Sequence, residues 1–435
     1  MSGSKYTLDV YLGEACIGEL ILTADQQLKF FYHQSWQKQG FAISPHLPLD
    51  NSALQDQFSI RAFFQNLFPE GENLEILLET FHLSRNNIFA ITQTLGLDLP
   101  GALQCVLHTS DLPKDEIFRP IQSDEMVERL KHNNPRDLMI WDGKPRLSIA
   151  GVHQKINVVV NQDGELGLGE GRLCSTHILK FQRSSVENLV INEFLMMKLA
   201  QTIGLNVAQV ELKYFAQYPT LLVKRFDRTW QKKVVWRRHM IDGCQALNLM
   251  PDYKYERHLG SGRDVKHIRD GANLPALFAW CDLCKNPAIT KKQLLLWVLY
   301  NLIIGNWDAH GKNISFFVSK NGIEMAPLYD LISIRTYPDF SQELSMALGN
   351  EFESDKINAY QLADFAESCQ LPRNIVTKTL LQLCKQVSFA LPQWSDLANN
   401  INEKKLSKQL MDGITAQIAH LEQQAVLING VRLDI

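Results

Sequence analysis

The chain has 435 residues, too many for one compact core, so two or three domains are expected. Apolar residues make up 45% and charged residues 21%, the ordinary balance of a soluble globular enzyme. The formal net charge of −3 carries no global signature of nucleic-acid binding, although a local basic patch stays open. No run reaches the ~20 apolar residues of a membrane span. The first five residues, Met1 to Lys5, lack an apolar leader core, so no secretory signal is expected. Of eight scattered cysteines only Cys281 and Cys284 have C-x-x-C spacing. No second pair or matching histidines accompany them. Buried reduced thiols in a reducing cytoplasm are the expectation, ahead of a zinc or redox site.

Taken in order, the chain opens with strands. Tyr6, Leu8, Val10 and Leu12 alternate at strand period, Gly13 and Glu14 turn, and residues 17–22 run back. Asp25 and Gln26 turn the chain again before Leu28, Phe30 and Tyr32, giving a meander. Residues 59–95 read as helices interrupted at Pro69 and Gly71, and Gly101-Ala102-Leu103-Gln104 enters a further strand. This is an α/β module over residues 1–120.

Residues 121–240 read as β-rich. A charged helix over 123–133 stops at Pro135. The stretch from Arg146 to Lys155 then places small residues in a loop that opens into the β-branched strand 156–160. Gly151 lets a backbone approach, and Lys155 opposes negative charge, which suits a phosphate-covering loop; a plain hairpin corner is the other reading. Asn161 to Gly164 is a turn. Lys180 interrupts the apolar strand 176–181, a costly inward position unless an anion meets it. Ser184 and Glu187 form a capping box for a helix ending near Ile203 and Gly204. Glu193 lies on the apolar stripe of that helix, with Val186, Val190 and Met197. It either pairs with Lys180, as strand lysine and helix glutamate pair in kinases, or is held elsewhere. Strands 209–215 and 220–226 flank a turn containing Tyr218 and Pro219. Lys224, Arg225 and Phe226 then stand where a kinase presents hinge backbone to adenine. Asp227 is placed to accept a ribose hydroxyl, or else forms a surface ion pair with Arg228.

Residues 241–435 read mostly as helices: 274–284, a central buried helix at 292–304, then 341–348, 360–369, 375–387 and 404–426. The central helix delivers Gly305-Asn306-Trp307-Asp308-Ala309-His310-Gly311-Lys312-Asn313, followed by a strand at 314–318 and by Tyr329-Asp330-Leu331. An acid, an amide five positions on and a second acid stand in the order of a kinase base and its two magnesium ligands. Asp308 and Asn313 alone could equally be helix caps. The preceding loop, strand lysine, helix glutamate and hinge-like strand end supply the remaining parts in the right order. Strict G-x-G-x-x-G, H-R-D and D-F-G motifs are missing, so this is no ordinary eukaryotic-type kinase. The fold expected is α+β and two-lobed, kinase-like, with a β-rich N-terminal part, an extra N-terminal module and an all-helical C-terminal lobe.

The combination of Leu147 to Gly151 with Lys155, Thr176 to Lys180, Leu222 to Arg228, Asp242 to Leu247, Lys254-Tyr255-Glu256, Asp308 to Asn313 and Pro327 to Asp330 resembles the HipA family of bacterial serine/threonine kinase toxins. The resemblance spans essentially the whole chain. It implies Asp308 as catalytic base, and Asn313 and Asp330 as Mg2+ ligands. Lys180 would contact the ATP phosphates, and Ala150, Gly151, Val152, His153, Gln154 and Lys155 would cover them. Lys224, Arg225, Phe226 and Asp227 would lie along the nucleotide, as would His310, Gly311, Lys312 and Asn313, and Tyr329, Asp330 and Leu331. Ser148 matches the family's autophosphorylated serine, where phosphate would expel the loop by charge. Val152-His153-Gln154 replaces the more familiar Ala-Gln-Glu, and Lys224 stands where a glutamate is frequent. The implied substrate is a translation component of aminoacyl-tRNA synthetase type. The implied partner is a HipB-like helix-turn-helix antitoxin, with DNA reached only through it and no membrane contact. Rival readings are a catalytically silent nucleotide-binding scaffold or corepressor, a small-molecule kinase, and a nucleic-acid-binding module.

Overall fold

A computed structural model describes residues 6–50, 56–147, 154–182, 186–394, 397 and 401–433. The chain divides into two compact units. Met1–Glu187, Gln209–Ile241 and Phe316–Gly322 form the first; Asn188–Ala208, Asp242–Ser315 and Ile323–Ile435 form the second.

The first unit begins with β1 (Thr7–Leu12), β2 (Ala15–Leu22), β3 (Leu28–Tyr32), α1 (Gln34–Gln39), α2 (Gln57–Gln65), α3 (Gly71–Phe81), α4 (Ile88–Leu95) and β4 (Leu103–Leu107). The strands make an antiparallel sheet of order β3-β2-β1-β4. Alternation sends Leu8, Val10, Leu20 and Phe30 to the buried face, where α2 and α4 pack. Each of these side chains contributes about 1.5–3 kcal/mol by leaving water. Asp9 and Glu19 point to the opposite face.

A second sheet follows. The chain runs through β5 (Glu116–Pro120), α5 (Ser123–His132), α6 (Pro135–Met139), β6 (Ile140–Trp141) and β7 (Lys144–Pro145), which pair with each other outside that sheet, β8 (Lys155–Val160), β9 (Leu166–Gly171) and β10 (His177–Phe181). After α7 (Leu189–Thr202) come β11 (Val210–Phe215) and β12 (Tyr218–Lys224). The order is β11-β12-β10-β8-β9-β5. One face buries Ile156, Val158, Leu179 and Phe181 against Met126, Leu138 and Trp141. Trp141 donates from Nε1 to Leu138 O (2.7 Å), and the Arg129 guanidinium lies 3.8 Å from its ring centroid. β13 (Arg228–Gln231) and β14 (Val234–Arg237) form a hairpin. β15 (Met240–Asp242) ends this part of the chain.

In the second unit the chain continues through α8 (Gly243–Ala246), α9 (Leu274–Trp280) and α10 (Pro287–Ile304). β16 (Ser315–Ser319), whose residues from Phe316 on belong to the first unit, and β17 (Gly322–Met325) precede β18 (Glu343–Leu348) and β19 (Glu351–Glu353). Three helices close it: α11 (Ala359–Ser368), α12 (Arg373–Trp394) and α13 (Ile401–Ala425). α10 is buried on nearly all sides, from Leu294 and Leu295 through Trp297 to Ile304, with α12 and α13 against it. Two polar contacts fasten it: Tyr300 donates to Met196 O (2.7 Å), and Gln417 reaches Leu302 O (3.3 Å). α7 is tied in by Asn192, which exchanges two hydrogen bonds with the Ser333 backbone (both 2.9 Å). No helix among the described residues is long and apolar enough to cross a membrane.

Several expectations change. α7 starts at Leu189, with Asn188 in the left-handed region as N-cap and no side-chain cap bond. The proposed cap Ser184 lies outside the described residues, and Glu187 precedes the helix. Gly204 serves one position beyond the C-cap Ile203, at φ +82°, where the N–H groups of Gly204 and Leu205 close the last turn onto Gln201 O and Ala200 O. α7 also clusters with the second unit. Tyr218 and Pro219 belong to β12, and the turn is made by Ala216 and Gln217. Residues 343–348, expected among the helices, are strand β18, paired with β19. The C-terminal part is helical with such short strands inserted.

Candidate active site

The second unit carries the loop expected to be catalytic. α10 ends at Gly305, whose φ of +73° reverses the backbone; its N–H and that of Asn306 close on Asn301 O. Asp308 follows, half-buried. Tyr255 donates its hydroxyl to Asp308 Oδ1 (2.9 Å), while Asn313 donates Nδ2 to Asp308 O (2.9 Å). The ring of His310 meets Tyr255 edge-on at 5.1 Å. Asp330 has φ +57°, and its carbonyl accepts from Asn306 Nδ2 (3.3 Å). The same Asn306 amide is anchored on Asn301 Oδ1 (2.8 Å). Asn306 thus joins the two acidic segments through backbone and helix.

The rest of the loop is held from beneath. Lys312 is buried and binds Asp242 Oδ2 at 2.6 Å. The other Asp242 oxygen caps α8 through Gln245 N (2.8 Å). Tyr329 donates to Lys312 O (2.6 Å) and meets Ser315 Oγ (2.8 Å). Gly311 is required: a Cβ there would lie 2.6 Å from Ala272 Cβ. Ser345 on β18 donates N–H and hydroxyl to Trp307 O (2.9 and 2.6 Å), pinning the loop from the strand side. Lys312 and Tyr329, read from the sequence as nucleotide contacts, therefore have their polar ends committed to shaping the loop. Leu331 is fully buried.

Asn313 spends its amide nitrogen on Asp308 O, so its oxygen lies at the other end of the amide. Together with the Asp330 carboxylate this is a hard-oxygen donor set, and such sets suit Mg2+, which takes few protein ligands and keeps several waters.

The two lysines expected at the ATP phosphates lie in the first unit. In the β8–β10 register Lys155 lies directly opposite Lys180. Both are 5% exposed. Like charges placed directly across a ladder are unfavourable. Each lysine nonetheless has an interaction partner in the fold. Ser148 and residues 150–153 lie outside the described residues; Gln154 accepts from Phe181 N (2.9 Å) at the start of β8.

At the strand end the backbone donors of Lys224 and Arg225 already serve Gln209 O (2.8 Å) and Thr176 O (3.0 Å). The Phe226 ring packs edge-on against Phe317 at 5.8 Å. Asp227 is neither a surface ion pair nor an available ribose acceptor. It is 2% exposed. Its oxygens receive Arg225 Nε (3.0 Å) and Nη2 (2.7 Å), Arg228 Nη1 (2.7 Å) and Gly101 N (2.9 Å). Arg228 also reaches Gly101 O and Leu99 O (2.6 and 2.8 Å). Burial alone would raise the Asp227 pKa; the two guanidinium charges outweigh it and bring it down to about 2. This buried cluster joins the strand end to the 98–101 turn of the N-terminal module. Glu193 is 2% exposed on α7, in the second unit, and Lys180 lies in the first. The eight cysteines are free thiols, and burial pushes Cys281 up to about 12 and Cys284 to about 11, so neither is a ready thiolate.

Tyr255, Asp242 and Asn306 had no role assigned from sequence. Tyr255 and Asp242 fell within segments carrying the family resemblance, but their contacts are non-local. Asn306 signalled itself only by its place before Asp308.

The HipA-like C-terminal domain model matches residues 147–391, and the HipA N-terminal domain model matches residues 8–106. The serine/threonine-protein kinase toxin HipA of Shewanella oneidensis is 43% identical over 399 residues, covering 90% of each chain. A putative kinase of Sinorhizobium fredii, Y4mE, is 31% identical over 404 residues, 90% of this chain and 93% of that one. A solved complex of Shewanella oneidensis HipA with HipB and operator DNA contains a chain that superposes with a TM-score of 0.90 at 38% identity. The match covers 98% of this chain and 100% of that one. The mixed α and β fold is kinase-like, and the enzyme class is serine/threonine-protein kinase. The chain belongs to the HipA family of serine/threonine kinase toxins.

Proposed function

We propose that this kinase uses ATP with Mg2+ to phosphorylate a protein of the translation apparatus, of aminoacyl-tRNA synthetase type, and its own Ser148. The observation that carries the chemistry is the Tyr255–Asp308–Asn313 unit, with Asp330 tied to the same loop through Asn306. Tyr255 holds one Asp308 oxygen, so the other is the one to accept the substrate hydroxyl proton and orient its oxygen for attack. Asn313 and Asp330 would hold Mg2+, which neutralises phosphate charge when bound. Lys155 and Lys180 would bind the nucleotide phosphates. Lys224 to Phe226 would face adenine, with acceptors rather than the two engaged N–H groups. Such a reaction needs positioning and charge neutralisation more than covalent help from the protein. Segments 1–120, 121–240 and 241–435 would serve as accessory module, nucleotide-covering part and catalytic part.

A HipB-like helix-turn-helix antitoxin would neutralise the toxin in the cytoplasm and bring it to DNA. The similarity to the HipA chain of the Shewanella complex supports this partner. The test is transfer of label from radiolabelled ATP by wild type, Asp308→Ala and Ser148→Ala, followed by mass spectrometry. Asp308→Ala should lose at least ~100-fold in rate, and Ser148→Ala should lose self-labelling alone. Full transfer by Asp308→Ala would remove the assigned base.

A further inference from the structure

The outward face of the N-terminal sheet carries a group of side chains that phosphoryl transfer does not use. The β1–β2 register sets Asp9 directly opposite Glu19. Asp9 is buried, and its Oδ1 lies 2.8 Å from His108 Nδ1. His108 follows β4, on the other side of β1, with its backbone N–H on Thr7 O (3.0 Å). His33 follows β3, with its backbone N–H on Ile17 O (2.8 Å) and its Nε2 3.2 Å from Glu19 Oε1. Four neighbouring strands thus each supply one residue, from within the strand (Glu19, Asp9) or just past its end (His33, His108), in the spatial order His33, Glu19, Asp9, His108. One ligand atom each from Asp9, Glu19 and His108 lie within 4.8 Å of one another.

Two carboxylates directly across a ladder repel. A cation between them converts that repulsion into attraction. Tetrahedral Zn2+ takes imidazole nitrogen and carboxylate oxygen at about 2.0–2.2 Å, which spaces its ligands roughly 3.3–3.6 Å apart. The two histidine–carboxylate separations, 2.8 and 3.2 Å, lie just under that spacing, and the ligand atoms of Asp9, Glu19 and His108 are mutually within 4.8 Å, so side-chain rotation would bring them onto one ion. Two imidazoles with two carboxylates form a borderline nitrogen–oxygen set, which favours Zn2+ and its transition-metal neighbours over Mg2+ or Ca2+.

We propose that Asp9, Glu19 and His108, with His33 as fourth ligand, form a Zn2+-type site that clamps the four strands of the N-terminal sheet. The site is structural and separate from the catalytic loop. Its ligands sit at strand centres and strand ends, so the metal would lock the register of β1 against β2 and fasten the chain where it leaves β3 and β4.

The test uses the full chain, stripped with a chelator and returned to excess Mg2+ and ATP so that the kinase centre is saturated. Zn2+ is titrated against a chromophoric competitor, and Co2+ is added separately to read ligand-field absorption. Wild type should take up one Zn2+ per chain, show a tetrahedral Co2+ spectrum and melt at higher temperature with Zn2+. His108→Ala and Glu19→Gln should each weaken uptake at least tenfold and lose the thermal shift, while phosphoryl transfer with Mg2+ is unchanged. Failure of wild type to bind one Zn2+, an octahedral Co2+ spectrum, or undiminished binding in both variants would overturn the site. The four residues would then be two histidine–carboxylate ion pairs. The Co2+ reading needs no variant, so it holds even where a substitution impairs folding.

Discussion

Asp227→Asn separates a structural carboxylate from a ligand-binding one. The substitution keeps the shape and removes the charge between Arg225 and Arg228, both almost fully buried. The ordinary carboxyl value of 3.8 falls to about 2 in the folded chain. At 1.36 kcal/mol per unit that difference stands for roughly 2–3 kcal/mol of stabilisation of the charged form. Removing one partner of a buried ion pair costs ~3–5 kcal/mol, because the remaining charge stays buried. Two guanidiniums are left here, although backbone acceptors at Leu99 and Gly101 retain part of their hydrogen bonding. The expected loss is therefore about 3 kcal/mol, a large share of the ~5–15 kcal/mol that holds a typical domain. Urea unfolding followed by tryptophan fluorescence should show the first transition moving to lower denaturant. Nucleotide affinity per folded molecule should be unchanged. A variant that unfolds like wild type but loses ATP affinity would refute the reasoning and return Asp227 to the ribose.

Tyr255→Phe removes a hydrogen bond to a charged acceptor, worth about 1.5–3 kcal/mol. It should lower kcat by roughly 10–100-fold while KM for ATP and Tm hold; a fall in Tm with unchanged kcat would make Tyr255 a packing residue. Burial pushes the imidazoles of His177 and His239 down to about 4 from the ordinary 6.5. Both are neutral in the fold and take a proton on unfolding below pH 6.5. Stability is thus complete above that pH and falls toward pH 4 by about 1.4 kcal/mol per unit per histidine. Chemical denaturation at pH 7, 5.5 and 4.5 checks it, and a flat profile would contradict it. Gly311→Ala should destabilise the loop by about 1–3 kcal/mol through the clash with Ala272, and Ala272→Gly in the same chain should restore much of the melting temperature.

What could be read from the sequence was what repeats locally. Alternation in residues 6–32 gave the meander, and the apolar run before Gly305 gave the buried helix with Asp308 at its end. The order of lysine, acid, amide and acid gave the candidate chemistry. What could not be read depends on pairing. Glu343 to Leu348 contains good helix formers, yet two donors of Ser345 go to Trp307 O, and Ala347 N goes to Glu256 Oε2, so non-local bonds hold it as a strand. The opposition of Lys155 and Lys180 exists only once β8 and β10 are in register. Asp227 looked like an exposed charge beside Arg228, because nothing local announces that a turn 126 residues earlier closes over it.

With Asp330 as a proposed Mg2+ ligand, its left-handed backbone bears on how an inert form of this toxin should be made. Alanine at φ +57° would add about 1 kcal/mol of conformational strain to the loss of the carboxylate. Asparagine tolerates that conformation and removes the charge alone. The asparagine form would keep the carbonyl presented to Asn306, and with it the loop's surface. It is the better bait for capturing substrate or antitoxin, since what it captures reports on the native shape and not on a relaxed loop.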